Sequence, residues 1–96
     1  MNSKQRAYLR GMANDLQPIF QVGKGGITEN MTKQIGEALE ARELIKVTVL
    51  KTALVDTKSV AQEVAAAVDA EVVQVIGSKC VLYRESKESK NIILPW

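Results

Sequence analysis

Histidine is absent from this 96-residue chain, which removes the commonest general base, the commonest metal ligand and every Ser-His or Cys-His nucleophilic pair. Cysteine is almost absent too. Cys80 alone allows no internal disulfide and no multi-thiolate metal site, which fits a reducing compartment. The aromatic residues are only Tyr8, Phe20, Tyr83 and Trp96, too few for the paired stacking platforms with which an RRM sheet holds bases. No apolar run approaches the ~20 residues of a membrane span, and no apolar stretch of signal-peptide length follows Met1-Asn2-Ser3-Lys4-Gln5-Arg6. These absences predict a cytoplasmic chain that is not an enzyme, takes no metal, cofactor or small-molecule substrate, and has no membrane partner.

What is present is the composition of an ordinary globular protein, 46% hydrophobic and 25% charged, at a length that supports one hydrophobic core. A single domain over residues 1–96 is expected. The net charge of +2 is too mild to indicate nucleic acid by itself, but its distribution is uneven. Residues 1–35 carry five cations (Lys4, Arg6, Arg10, Lys24, Lys33) against Asp15 and Glu29. Residues 36–72 carry seven acids against four cations, and residues 73–96 four cations against two acids. Positive charge therefore gathers toward both chain ends and around a glycine-rich loop.

Periodicity predicts the elements in the order α-β-α-β-α-β-β. Ser3 offers a cap for a first helix whose stripe is Leu9, Met12, Ala13 and Leu16, and which ends near Asp15 because Pro18 bars continuation. Ile19-Phe20-Gln21-Val22 reads as a short strand, and Thr28 as the cap of a second helix with Met31, Ile35, Ala38 and Leu39 on one face. In Leu44–Val49 the alternation of Ile45, Val47 and Val49 with Lys46 and Thr48 predicts a strand with one wet face. Asp56 caps a third helix striped by Val60, Val64 and Val68 with Ala61 and Ala65 beside them. Val72–Ile76 and Cys80–Tyr83 form a hairpin about Gly77-Ser78-Lys79, with Cys80 and Tyr83 read as packing residues. The tail Ile92-Ile93-Leu94-Pro95-Trp96 is expected as a short edge segment. Crossovers make strands one, two and three parallel and strand four antiparallel, giving an α/β fold with a mixed four-stranded sheet whose one face is partly solvated.

The chemistry lies where the first strand meets the second helix. Gly23-Lys24-Gly25-Gly26 precedes a helix N-terminus, where free amides and the dipole attract anions. Glycines at positions 23, 25 and 26 permit positive φ and close approach of a ligand, and Lys24 adds a mobile cation. A tight turn alone accepts a G-x-x-G pattern, but chain reversal needs fewer glycines and no lysine. The pattern is also the loop with which KH domains clamp a single-stranded backbone. Walker A is absent. The dinucleotide pattern G-x-G-x-x-G fails at Thr28, and strand two runs into Leu50-Lys51 without a closing acid.

The runs Tyr8-Leu9-Arg10-Gly11-Met12-Ala13, Leu16-Gln17-Pro18 and Val22-Gly23-Lys24-Gly25-Gly26-Ile27-Thr28 resemble the CRM domain (chloroplast RNA splicing and ribosome maturation) in its stand-alone bacterial YhbY-like form. Further likeness lies in Leu39–Val47, Gln74-Val75-Ile76-Gly77, Val81-Leu82-Tyr83-Arg84 and Ile93-Leu94-Pro95. The resemblance implies a fold similar to the C-terminal domain of translation initiation factor three. It also implies RNA binding through the G-x-x-G loop and nearby basic surface, and association with ribosomal RNA in maturing large ribosomal subunits. Carried onto this sequence, Gly23 to Gly26 are the loop and Arg84 lies in the Leu-Tyr-Arg motif. Charge and predicted position add Lys4, Arg6, Arg10, Lys33 and Lys87 as RNA contacts, with Thr28 a cap first and a phosphate donor second. The rival reading is a protein-interaction subunit that docks on ribosomal proteins or assembly factors through the acidic middle segment.

Overall fold

The computed structural model describes residues 1–95, and Asn2, not the expected Ser3, opens its first helix, α1 (Ser3–Ala13). The Asn2 side chain accepts from the Gln5 amide at 2.8 Å while the Gln5 side chain accepts from the Asn2 amide at 3.1 Å. This reciprocal pair satisfies two helix-end donors at once, which a Ser3 cap would not do. The helix stops at Ala13, two residues before the expected end, and Met12 is 39% exposed instead of joining the inward stripe. Only Leu9 and Ala13 on α1 are buried.

The remaining elements are β1 (Phe20–Val22), α2 (Glu29–Arg42), β2 (Leu44–Val49), α3 (Thr57–Val68), β3 (Glu71–Ile76) and β4 (Lys79–Tyr83). Their order along the chain matches the expected one, and β1, β2 and β3 run in the same direction. The hairpin partner β4 inserts between β2 and β3, so the sheet order is β1-β2-β4-β3. β1 pairs with β2 in parallel register, Phe20 opposite Val47, and β4 is antiparallel to both its neighbours.

The period-2 alternation of the strands divides the core between the two sheet faces. Ile45, Val47, Val49, Cys80 and Leu82 pack against Ile35 and Leu39 of α2 and Val60, Ala61, Val64 and Ala65 of α3. Leu44, Val81 and Tyr83 face the other way, against Leu9 and Ala13 of α1 and Ile92 of the tail. One helix and a short tail do not cover that second face, and Lys46 and Thr48 remain half-exposed on it, as the strand-two alternation implies. Burial pushes the Cys80 thiol up to about 11. A thiol reagent at mildly alkaline pH should therefore label Cys80 only on unfolding, and rapid labelling of the native protein would contradict its place in the core.

The tail is not an edge strand. Ile92 is buried but Ile93 is 81% exposed, and instead of strand pairing the segment is held by Glu43 just past α2 and by Gln5 of α1, whose side-chain amide donates to Pro95 O at 3.0 Å. Trp96, expected to close that segment, lies outside the described residues. At the C-cap of α2, Glu43 is fully buried with φ 66°. Its carboxylate accepts from the amides of Ser86 at 2.8 Å and of Asn91 and Ile92 at 2.7 Å. Burial pushes this carboxyl up, but those three amides outweigh it and hold the group below the usual carboxylate range. One turn earlier, Glu40 accepts from the Ser86 hydroxyl and from the amides of Lys87 and Glu88. Two acids of the negatively charged middle segment thus hold the chain's own tail. No helix among the described residues is long and apolar enough to cross a membrane.

Candidate nucleic-acid interface

Parallel strands β1, β2 and β3 send their C-terminal ends to one end of the sheet, and the connections there touch. The Leu50 amide donates to Val22 O at 2.8 Å, tying the start of the 50–56 loop to the end of β1. The Val49 amide donates to Ser78 O at 2.6 Å, tying in the β3–β4 turn. Open α/β sheets bind ligands at this end, outside the carboxyl ends of the strands.

Gly23-Lys24-Gly25-Gly26 is a closed turn in which the Gly26 amide donates to Gly23 O at 2.9 Å. Of the three glycines expected to use positive φ, only Gly26 does, at 67°. Gly23 fits against the neighbouring loop, where a Cβ would meet Leu50 Cδ1 at 3.5 Å. Gly25 is different: its φ is ordinary and an added Cβ would meet nothing within 4 Å. Neither conformation nor packing requires glycine there, and alanine at such a site would stabilise the fold by about 0.4–1 kcal/mol. The missing side chain leaves the tip of the turn bare.

Thr28 caps α2 as expected, its hydroxyl oxygen accepting from the Met31 amide at 3.1 Å. That cap occupies an amide the anion-site reading assigned to a ligand, and Glu29 adds a carboxylate to the first helical turn. Among the described residues, the amides of Lys24 and Gly25 find no acceptor within the chain. The amides of Ile27, Thr28, Glu29 and Asn30 likewise find no acceptor among the described residues, so free donors run from the turn tip beside the exposed Lys24 into the first turn of α2.

The other expected contacts divide into three groups. Lys33 is exposed on α2, about 7.5 Å beyond Thr28 at the ordinary helical rise, in the part of the helix that follows the loop. Lys4, Arg6 and Arg10 lie on α1, which packs on the opposite sheet face from α2, and Arg6 donates to the Val72 carbonyl. Arg84 and Lys87 lie at the far end of α2, where Lys87 is exposed and its amide bonds Glu40, about 18 Å from Thr28 along the axis. The Arg84 guanidinium donates to Val68 O at 3.0 Å and Gly36 O at 2.9 Å and lies 3.7 Å from Glu40. It is a strut between α2 and α3, with its donors turned inward.

Two cations not foreseen from the sequence join the loop end. Lys51 follows β2 into the 50–56 loop, and Lys79 opens β4 opposite Thr48. Lys51 sits just past a recognisable strand end, a usable signal, whereas placing Lys79 needs the strand order.

A family model described as the CRS1 / YhbY (CRM) domain matches residues 1–84. "Probable RNA-binding protein YqeI" of Bacillus subtilis is 54% identical over 95 residues, covering 99% of both chains. "RNA-binding protein" of Haemophilus influenzae is 36% identical over 90 residues, covering 94% of this chain and 91% of the relative. Among solved structures, the solution structure of SAV1595 from Staphylococcus aureus superposes with a TM-score of 0.82 at 56% identity, covering 99% of each chain.

Proposed function

The chain belongs to the CRS1/YhbY (CRM) domain family, and on that premise we propose that it is an RNA-binding module that grips a phosphate backbone at the Gly23–Gly26 turn. It carries out no catalytic step, and its target is ribosomal RNA in large subunits under assembly, the role the family resemblance implies. The names of the Bacillus and Haemophilus relatives support RNA as the partner.

One observation carries the placement at the turn: Gly25 has no structural need to be glycine. A bare backbone with free amides beside a mobile lysine suits the close approach of a phosphate oxygen. Lys51 and Lys33, both exposed, add positive charge near the same end of the sheet, while Lys79 lies at that end on the α1 face, so a strand held at the turn meets further cations. Lys4 and Arg10, both exposed on α1, form a separate surface on the other sheet face that is open to a longer RNA, whereas the Arg6 guanidinium is bonded to the Val72 carbonyl. Docking on proteins through the acidic middle segment is the weaker reading, because Glu40 and Glu43 are turned to the tail.

Salt dependence tests the grip. Each phosphate neutralised in a single strand contributes about −0.7 to the slope of log affinity against log salt. Lys24→Ala should make the slope shallower by about that amount and weaken binding across RNA sequences alike. An unchanged slope and affinity would remove Lys24 from the interface. Association with pre-ribosomal particles that survives RNase digestion would favour the protein-docking alternative.

A further inference from the structure

Beside the glycine turn lies a cleft of about 210 Å³ between residues 23–28 and the 50–56 loop. Its inner lining includes Val22 and Val60, both buried, and its outer lining includes Leu54 and Val55, which are 89% and 48% exposed. Leu50 in the same loop is also exposed. Three large aliphatic side chains left to solvent in one short loop, next to free amides and a lysine, form an apolar surface adjoining a cationic one. Glu63 of α3 lines the cleft as well, and among the described residues it makes neither a hydrogen bond nor an ion pair.

We propose that this cleft receives one unpaired nucleobase of the RNA strand whose phosphate rests on the Gly23–Gly26 turn, and that Glu63 makes guanine the preferred base. The inference rests on the phosphate reading above and adds what the strand must present: a base free of pairing.

Three features select this occupant. The cleft is smaller than the roughly 300–1,000 Å³ of pockets for drug-sized ligands, so a single ring system suits it better than a whole cofactor. Its walls are mostly aliphatic, which suits the faces of a base, and Lys24 lines the side formed by the glycine turn, where the phosphate would be. A carboxylate this close to a phosphate grip is repulsive unless the ligand presents donors to it.

Base edges differ in what they offer Glu63. Guanine offers its ring N1–H and exocyclic amine side by side, matching the two oxygens of a carboxylate. Cytosine and adenine each set an amine beside a ring nitrogen that is an acceptor, and uracil sets its single N–H between two carbonyls. An unpaired guanine is therefore the base that leaves neither carboxylate oxygen opposed by an acceptor.

Fluorescence anisotropy with short single-stranded RNAs tests this: a uridine strand, the same strand with one guanosine, and the same strand with inosine there, which lacks the exocyclic amine. The guanosine strand should bind roughly tenfold more tightly than the uridine strand, with inosine between them. Glu63→Gln should erase most of that preference, and Leu54→Ser should weaken the guanosine strand several-fold. Leu54 and Glu63 are both exposed, so neither change threatens the fold. Lys24→Ala should weaken all three strands by a common factor.

If the wild-type protein binds the uridine and guanosine strands equally, or Glu63→Gln keeps the preference intact, the base site is wrong. The phosphate reading still stands if Lys24→Ala lowers affinity for every strand. If Lys24→Ala and Gly25→Asp also change nothing, the phosphate reading fails and the base site falls with it. Tighter binding when the guanosine is paired in a duplex would overturn the base site alone.

Discussion

Gly25→Asp is expected to weaken RNA binding by well over tenfold while leaving the thermal midpoint of unfolding essentially unchanged. The substitution separates the two effects because the position is sterically open and its backbone conformation is ordinary. A carboxylate on the turn tip would sit about 4 Å from a bound phosphate. At the effective dielectric of a protein surface, two like charges at that distance repel by about 4 kcal/mol before salt screening. Screening reduces this, and a tenfold loss requires only about 1.4 kcal/mol to survive. Gly25→Ala is the companion variant. It adds no charge, should raise stability slightly, and should lower affinity only through the bulk of one methyl group. Binding by filter retention or anisotropy, paired with a thermal melt of each variant, reads both quantities. A Gly25→Asp protein that binds RNA as tightly as the parent would place the interface elsewhere.

Glu43→Ala is expected to produce the largest loss of stability of any single substitution at the end of the sheet away from the glycine turn. It removes a fully buried carboxylate and leaves the Ser86, Asn91 and Ile92 amides without their acceptor. The Ser86 and Ile92 donors are buried and each costs about 1–3 kcal/mol when orphaned, while the amide of the exposed Asn91 can turn to water, so the total comes to about 3–5 kcal/mol. For a domain of this size that lowers the thermal midpoint by more than about 10 °C.

Glu43→Gly separates the carboxylate from the backbone. The residue sits at φ 66°, where glycine is at ease and alanine is not, so the glycine variant should lose less than the alanine variant by about 1–2 kcal/mol. The same carboxylate sets an acid limit. Its folded pKa lies below the unfolded value, so its contribution is complete above the ordinary carboxyl range near ~4.3 and is lost as pH falls through the folded pKa. Urea melts over that range should show the parent losing stability on acidification more steeply than Glu43→Ala. Equal slopes would mean that the carboxylate is not the group that holds the tail.

Local chemistry made much of this fold legible. Thr28 and Asp56 are caps because a hydroxyl or carboxylate before an amphipathic run has one good use, and β2 could be bounded because Ile45, Val47 and Val49 alternate without interruption. The order α-β-α-β-α-β-β and the strand directions followed from connection rules. The insertion of β4 between β2 and β3 did not, since a hairpin pairs equally well on either side of its partner. The Asn2 cap escaped because Ser3 competes for the same role, and only the Gln5 side chain decides between them.

For the candidate site, the loop was legible and its surroundings were not. Three glycines and a lysine before a cap are visible in the chain, whereas the ordinary φ of Gly25 is a property of the folded turn. Lys51 and Lys79 reach the loop end through strand topology, and a charge count along the chain instead gives weight to Lys4, Arg6 and Arg10, which fold onto the opposite face. Arg84 shows the same limit: a basic residue beside a tail reads as a contact until its guanidinium is found bonded to Val68 and Gly36.

Backbone amide resonances followed during titration with a short single-stranded RNA probe the turn most directly. Saturable shifts should be largest at Lys24, Gly25 and Thr28, extend to Lys51, and be nearly absent at Lys87 and along α1. Shifts confined to Lys4, Arg6 and Arg10, with the glycine turn unmoved at saturation, would contradict a phosphate grip at that turn.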